Sequence, residues 1–251
     1  ETSGGFGPNQ VSTILGLGIF IFFVQLMLNS SNGILQIING GLVLFFAYRG
    51  LITFSRGGIY TGVAMILLLL AILYFQANFQ TKPKIAGIIV LSFLATLAVW
   101  SYSSIKTNGL LDKRYANQDA AGREKKSQLS GREILIESEL KMFYENPILG
   151  VGVGKNKELR KSQTGIDLAT HNEITRMLAE HGTLGIVGLL ILLITPLYLF
   201  AVDRQNILAL SFFVFWLLTI NHAAMRLSAP AFIYALSLLK VYREAPAVHR
   251  K

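Results

Sequence analysis

Gly57-Gly-Ile-Tyr-Thr-Gly-Val-Ala-Met-Ile-Leu-Leu-Leu-Leu-Ala-Ile-Leu-Tyr-Phe-Gln-Ala-Asn-Phe79 runs from end to end without a charged side chain. About 20 mainly apolar residues in a helix cross the hydrocarbon core of a bilayer. A helix buried in a soluble bundle would keep a polar face, and this stretch has none. Its neighbours read the same way. Val11–Leu28 and Ile34–Tyr48 flank the turn Asn29-Ser-Ser-Asn-Gly33, and Ile85–Ser104 follows a basic link around Lys82-Pro83-Lys84. Leu184–Val202, Asn206–Asn221 and the shorter Leu227–Val241 close the series. The expected fold is all-α, a polytopic membrane helix bundle of about seven spans. It divides into spans at 1–104, a polar segment at 105–182 containing amphipathic helices, and further spans with a basic tail at 183–251.

Composition agrees. The 251 residues are 52% hydrophobic and only 15% charged, with a mean hydropathy of +0.50. That excludes disorder and a collagen-like chain. With no cysteine, disulfide scaffolds, thiolate metal sites and cysteine nucleophiles are excluded as well. The net charge of +9 does not point to nucleic acid. Residues 105–182 hold 13 Lys/Arg against 11 Asp/Glu, so most of the excess lies around the spans and in the tail, where it anchors to anionic lipid.

Lysine and arginine in short loops set the orientation. Lys240, Arg243, Arg250 and Lys251 place the tail in the cytoplasm. The Asp203-Arg204 and Lys82–Lys84 links then fall inside, while Arg49, Arg56 and the 105–182 segment lie outside. The chain opens on Glu1 rather than Met and shows no signal-peptide pattern, so the expectation is a portion of a longer protein whose earlier spans precede it.

Chemistry is expected in the polar segment. Its first part, Lys106 to Gln128, reads as a charged surface loop. Ser130-Gly-Arg-Glu133 has capping-box spacing and opens a helix with Ile136, Leu140 and Phe143 on one stripe, ending at Asn146-Pro147. Arg132 sits four residues before Ile136, either snorkelling to lipid phosphate or aimed into a site. Gly150-Val-Gly-Val-Gly154 lacks dinucleotide-fingerprint spacing. It reads as a flexible turn whose free amides could also meet a phosphate. Thr170-His-Asn-Glu173 is a second capping box, which puts His171 in a first helical turn. There the dipole disfavours its protonated form, suiting a general base, although a structural hydrogen bond is the plainer role. Arg56, at the outer end of a span, either anchors to headgroups or grips phosphate with its guanidinium fork. His181 and His222 end helical stretches and read as structural. No metal-site spacing of histidines and carboxylates is evident.

Taken in order, Gly7-Pro8-Asn9, Ser55-Arg56-Gly57, Gly131-Arg132, Glu145-Asn-Pro-Ile-Leu-Gly-Val-Gly152, Thr170-His171-Asn172 and Ala179-Glu180-His-Gly-Thr-Leu-Gly185 resemble the O-antigen ligase and polymerase superfamily. The resemblance covers most of the chain. It implies a multi-span enzyme of the bacterial inner membrane with its active face in the periplasm. Such an enzyme transfers a glycan from undecaprenyl diphosphate to an acceptor such as lipid A–core, without a metal or other cofactor. It further implies that Arg56 and Arg132 bind the carrier diphosphate, that His171 assists the acceptor hydroxyl, and that Asn172, Glu173 and Glu180 support the site. Lys106, Arg49, Arg160, Arg176 and Arg226 are weaker candidates for diphosphate or glycan contact. A polymerase of the same superfamily, a transporter and a non-catalytic scaffold remain as alternatives. The nearly clean span interiors speak against a transporter.

Overall fold

The computed structural model describes residues 7–125, 133–168, 170–222 and 227–241. Every regular element among them is a helix, and Gln118 and Glu124 form an isolated bridge. The order is α1 (Pro8–Val24, prolonged by a π turn Gln25–Asn29), α2 (Gly33–Leu51), α3 (Arg56–Gln76), α4 (Lys82–Lys106), α5 (Leu110–Tyr115), α6 (Glu133–Glu145), α7 (Lys155–Thr164), α8 (Glu173–Val202), α9 (Ala209–Ile220) and α10 (Ala229–Ser237).

Five of the seven expected spans are long and apolar enough to cross a membrane: α1 with its π turn, α2, α3, α4 and α8. The last two stretches form helices of 12 and 9 residues. At 1.5 Å per residue these reach about 18 and 14 Å, short of a ~30 Å hydrocarbon core. The described bundle therefore has five candidate spans and two short apolar helices packed beside them.

The bundle is organised around α3, with α1 on one side and α9 on the other, and α10 beyond α9. Small residues let α1 and α3 approach closely. Ser12 and Gly16 on α1 face Gly58 and Gly62 on α3, each pair four residues apart. A Cβ on Gly58 would lie 2.0 Å from the Ser12 carbonyl oxygen, and one on Gly16 would lie 2.0 Å from that of Gly58. This is the small-xxx-small packing that joins helices in lipid, where no hydrophobic force between them exists. Leu17, Phe20, Val24, Met65, Leu69, Phe215 and Ile233 fill the core between α1, α3, α9 and α10. By contrast, α4 buries only Ile85 and Ser103, so nearly all its length faces outward.

Pro196 interrupts α8, and its missing N–H leaves the Leu192 carbonyl without its helical donor. The Tyr234 hydroxyl of α10 donates to that carbonyl at 3.0 Å, which restores the bond and ties α10 to α8.

The spans alternate in direction. One end gathers the start of α1, the end of α2, the starts of α3 and α8, and the ends of α4 and α9. The other gathers Lys82, Lys84 and the Asp203–Asn206 link, with Asn206 Nδ2 donating to the Leu239 carbonyl at 3.1 Å. The stretch expected as a surface loop from Lys106 carries α5, whose Leu111 is fully buried against Leu51 and Ile59. Two leucines and Tyr115 were enough to seat a helical turn there.

Candidate functional site

Arg56 occupies the first position of α3, immediately after Ser55, and is half-buried. Its position is fixed from three directions. The Ser55 hydroxyl donates to Asn9 Oδ1 at 2.7 Å, and the Ser12 hydroxyl donates to the Ser55 carbonyl at 2.8 Å. Phe54, with φ of +56°, turns the chain out of α2 in a conformation uncommon for a non-glycine residue. That turn aims its carbonyl at Arg114, whose Nε donates at 3.0 Å. Tyr115 packs edge-on to Tyr60 (5.9 Å) and Trp100 (4.7 Å) beside Arg56. Burial and the Tyr60 hydroxyl push its phenol up and outweigh the opposing pull of Arg56 and Arg114, so it stays neutral. The Asn9 of the Gly7-Pro8-Asn9 motif therefore acts as a strut for the arginine turn.

His171 lies one residue before the cap of α8 and is half-buried. Here the expected capping box is corrected. Asn172, not Thr170, is the N-cap: its Oδ1 accepts from the amides of Ile174 (2.9 Å) and Thr175 (3.3 Å). Thr170 instead closes a small turn, its hydroxyl donating to the Asn172 carbonyl at 3.1 Å. An amide side chain that reaches two helix N–H groups outcompetes a threonine two residues further out. His171 thus stands outside the first turn, on the approach to the helix.

Beneath that approach is a buried polar cluster that joins α6, α7 and α8. Glu139 and Arg160, both wholly inaccessible, pair at 3.0 Å. Asn156 Nδ2 donates to the same carboxylate at 3.2 Å, the Thr175 hydroxyl donates to it at 2.6 Å, and Arg160 also donates to the Leu168 carbonyl. Arg176 then pairs with Glu173 and, at 3.0 Å, with Glu180. Arg160 and Arg176, expected as weaker candidates for diphosphate contact, are thus engaged with protein carboxylates. Sequence reasoning missed Glu139. Its signal was a lone carboxylate on the buried face Leu135–Ser138–Glu139–Met142 of α6, one position away from the stripe read through Ile136 and Leu140.

The glycine-rich turn is also corrected. It is neither loose nor open at the amides named here. Gly150 donates to Asn146, Val151 to the Ala179 carbonyl (2.8 Å), Gly152 to the Glu180 carbonyl (3.1 Å) and Gly154 to Glu180 Oε1 (3.0 Å). In return, Thr183 donates its amide to Pro147 (2.8 Å) and its hydroxyl to Ile148 (3.0 Å). The docking is possible because α8 breaks at Gly182, with φ of +60° and ψ of −136°. Two of the motif blocks noted in the sequence, Glu145–Gly152 and Ala179–Gly185, are the two halves of this one joint.

The structure brings Arg56 and His171 to the same end of the bundle. Ile174, just inside α8, joins the apolar cluster of Phe213, Trp216 and Ile220 on α9. Just past that helix, the His222 ring lies where a Cβ on Gly57 would be 2.5 Å from it, and its Nε2 is 3.1 Å from the Thr13 hydroxyl. The end of α9 therefore lies between the arginine turn and the approach to α8. Arg132, Arg226 and Ser130 lie outside the described residues. Arg49 lies in the last turn of α2 and Lys106 ends α4 at this same end, the latter over the Tyr102 ring at 5.6 Å. Among the described residues, no three His, Asp or Glu side chains gather as a metal site.

The sequence model of the family described as O-antigen ligase matches residues 40–193, more than half of the chain, from α2 through most of α8. No curated protein and no solved structure matches.

Proposed function

The chain belongs to the O-antigen ligase family, and on that premise we propose that it is a membrane glycosyltransferase. It moves a glycan from an undecaprenyl diphosphate carrier to an acceptor such as lipid A–core, on the periplasmic face of a bacterial inner membrane. Beyond the family, the observation that carries this reading is the shared end of the bundle at which Arg56 and His171 stand. The basic Lys82, Lys84 and Arg204 gather at the opposite end, which the positive-inside rule assigns to the cytoplasm.

The chemistry follows from the residue types. As the bond between the sugar C1 and the diphosphate oxygen breaks, negative charge grows on the leaving group. Arg56 and Arg132 hold that charge through guanidinium forks, which fit phosphate oxygens. The acceptor oxygen attacks C1 from the opposite face and His171 takes its proton, so the anomeric carbon inverts in one displacement. The leaving group departs as undecaprenyl diphosphate. Holding Arg56 at the start of α3 and His171 just ahead of the α8 cap supplies the positioning part of the rate. Asn172 serves by capping α8, and Glu173 and Glu180 by holding Arg176 and the glycine-rich turn.

The full-length protein in a matching deletion strain tests this reading. Arg56→Ala, Arg132→Ala and His171→Ala, each checked for membrane expression, are expected to leave lipid A–core without polymer while polymer accumulates on the carrier. A single repeat left on lipid A–core would instead mean polymerase chemistry at the same site. Normal lipopolysaccharide ladders from all three variants would remove the catalytic assignment.

A further inference from the structure

The joint at Gly182 leaves an apolar edge that the reaction does not use. Ile148, Leu149 and Val153 are 70%, 69% and 73% exposed, although the turn that carries them is pinned at Pro147, Ile148, Val151 and Gly152 by bonds to Ala179, Glu180 and Thr183. They are thus fixed in place with their side chains outward, unlike the tip of a mobile loop. Immediately beyond Thr183, α8 presents Leu184, Val187, Ile191, Ile194 and Tyr198, all exposed and all on one stripe. From Leu184 to Val202 the helix carries no charge, and Asp203-Arg204 follow at once. Nineteen residues at 1.5 Å give about 28 Å, close to one hydrocarbon thickness, so the apolar core begins at about Leu184.

We infer that the Asn146–Gly154 turn is seated in the bilayer, its Ile148, Leu149 and Val153 side chains lying at the boundary between headgroups and acyl chains where α8 enters. The occupant of this edge is lipid, because the edge is continuous with the lipid-facing stripe of α8 through the Thr183–Ile148 hydrogen bond. Burial of such side chains to ~5–10 Å is what holds interfacial segments to membranes. Lys155 opens α7 directly after the turn and is exposed, at a place suited to a lipid phosphate. The seat is a property of the fold and does not rest on the proposed reaction.

No cysteine among these 251 residues competes for a label, and any cysteine elsewhere in the full-length protein is first replaced by serine. Ile148→Cys, Leu149→Cys and Val153→Cys each take a nitroxide label in the full-length protein reconstituted into phosphatidylethanolamine–phosphatidylglycerol vesicles. Val187→Cys serves as the lipid reference and Glu158→Cys as the water reference, both exposed positions. Collision rates with oxygen and with a water-soluble nickel chelate are compared. The expected result is an oxygen-to-nickel ratio at 148, 149 and 153 several-fold above that at 158 and near that at 187. A ratio equal to that at 158 would place the turn in water and overturn the inference. Low collision with both reagents would mean that protein rather than lipid covers the edge, and would overturn it equally.

Discussion

Arg160→Ala is expected to destabilise the α6–α7–α8 platform by about 3–5 kcal/mol, because it strands the Glu139 carboxylate where no water reaches it. Asn156 and Thr175 would still donate to that carboxylate, but neither neutralises it. In detergent, the apparent Tm should fall by on the order of 10 °C if the platform melts with the bundle. The double variant Glu139→Leu/Arg160→Met removes both charges at similar volume and should lose less than either Glu139→Ala or Arg160→Ala alone. A double variant as unstable as the sum of the singles would mean that the residues act separately, contrary to the ion-pair account.

Gly182→Ala should be nearly as damaging, for a different reason. At φ +60° and ψ −136° an alanine is strained by about 1–3 kcal/mol. Its Cβ would also sit 2.5 Å from the Pro147 oxygen, 2.6 Å from that of Ile148 and 2.7 Å from the Gly150 nitrogen, all backbone atoms that cannot swing aside. Relief requires undocking the 146–154 turn, which gives up backbone bonds worth about 1 kcal/mol each. Hydrogen exchange at the Val151, Gly152 and Thr183 amides should accelerate by about 100-fold or more while the α1–α3 core stays protected. Unchanged exchange at those three amides would show that the joint is not held through Gly182.

Much of this architecture is legible in the residues alone, and the parts that are not share a physical reason. The long uncharged runs mark α1 to α4 and α8 because in lipid a helix must satisfy its own backbone, and length and charge are visible in one dimension. The last two stretches lose residues at their ends, 206–208 ahead of α9, and 227–228 and 238–241 around α10, which hydropathy alone overlooks. What stays hidden is tertiary pairing. Glu139 meets Arg160 from 21 residues away, and the Gly154 amide meets Glu180 from 26 residues away. Without those partners, a buried arginine reads as a phosphate ligand and a docked turn reads as a loose one. The shift of the α8 cap from Thr170 to Asn172 is subtler. Both are good capping residues, and the choice rests on which oxygen reaches two amides. Of the candidate site, Arg56 and His171 stand out in the sequence through motif order, whereas the Asn9–Ser55 strut and the Arg114–Tyr115 flank became visible only with the fold.

The central claim is that Arg56 holds the donor diphosphate while His171 activates the acceptor. Transfer kinetics on the purified full-length protein, in vesicles carrying an undecaprenyl diphosphate glycan and lipid A–core, test it most directly. His171→Ala is expected to lower kcat by about 100-fold or more, as removal of a general base does, with donor affinity unchanged. Arg56→Ala is expected to weaken donor binding and slow transfer together. Wild-type kcat in a well-folded His171→Ala protein would contradict the account.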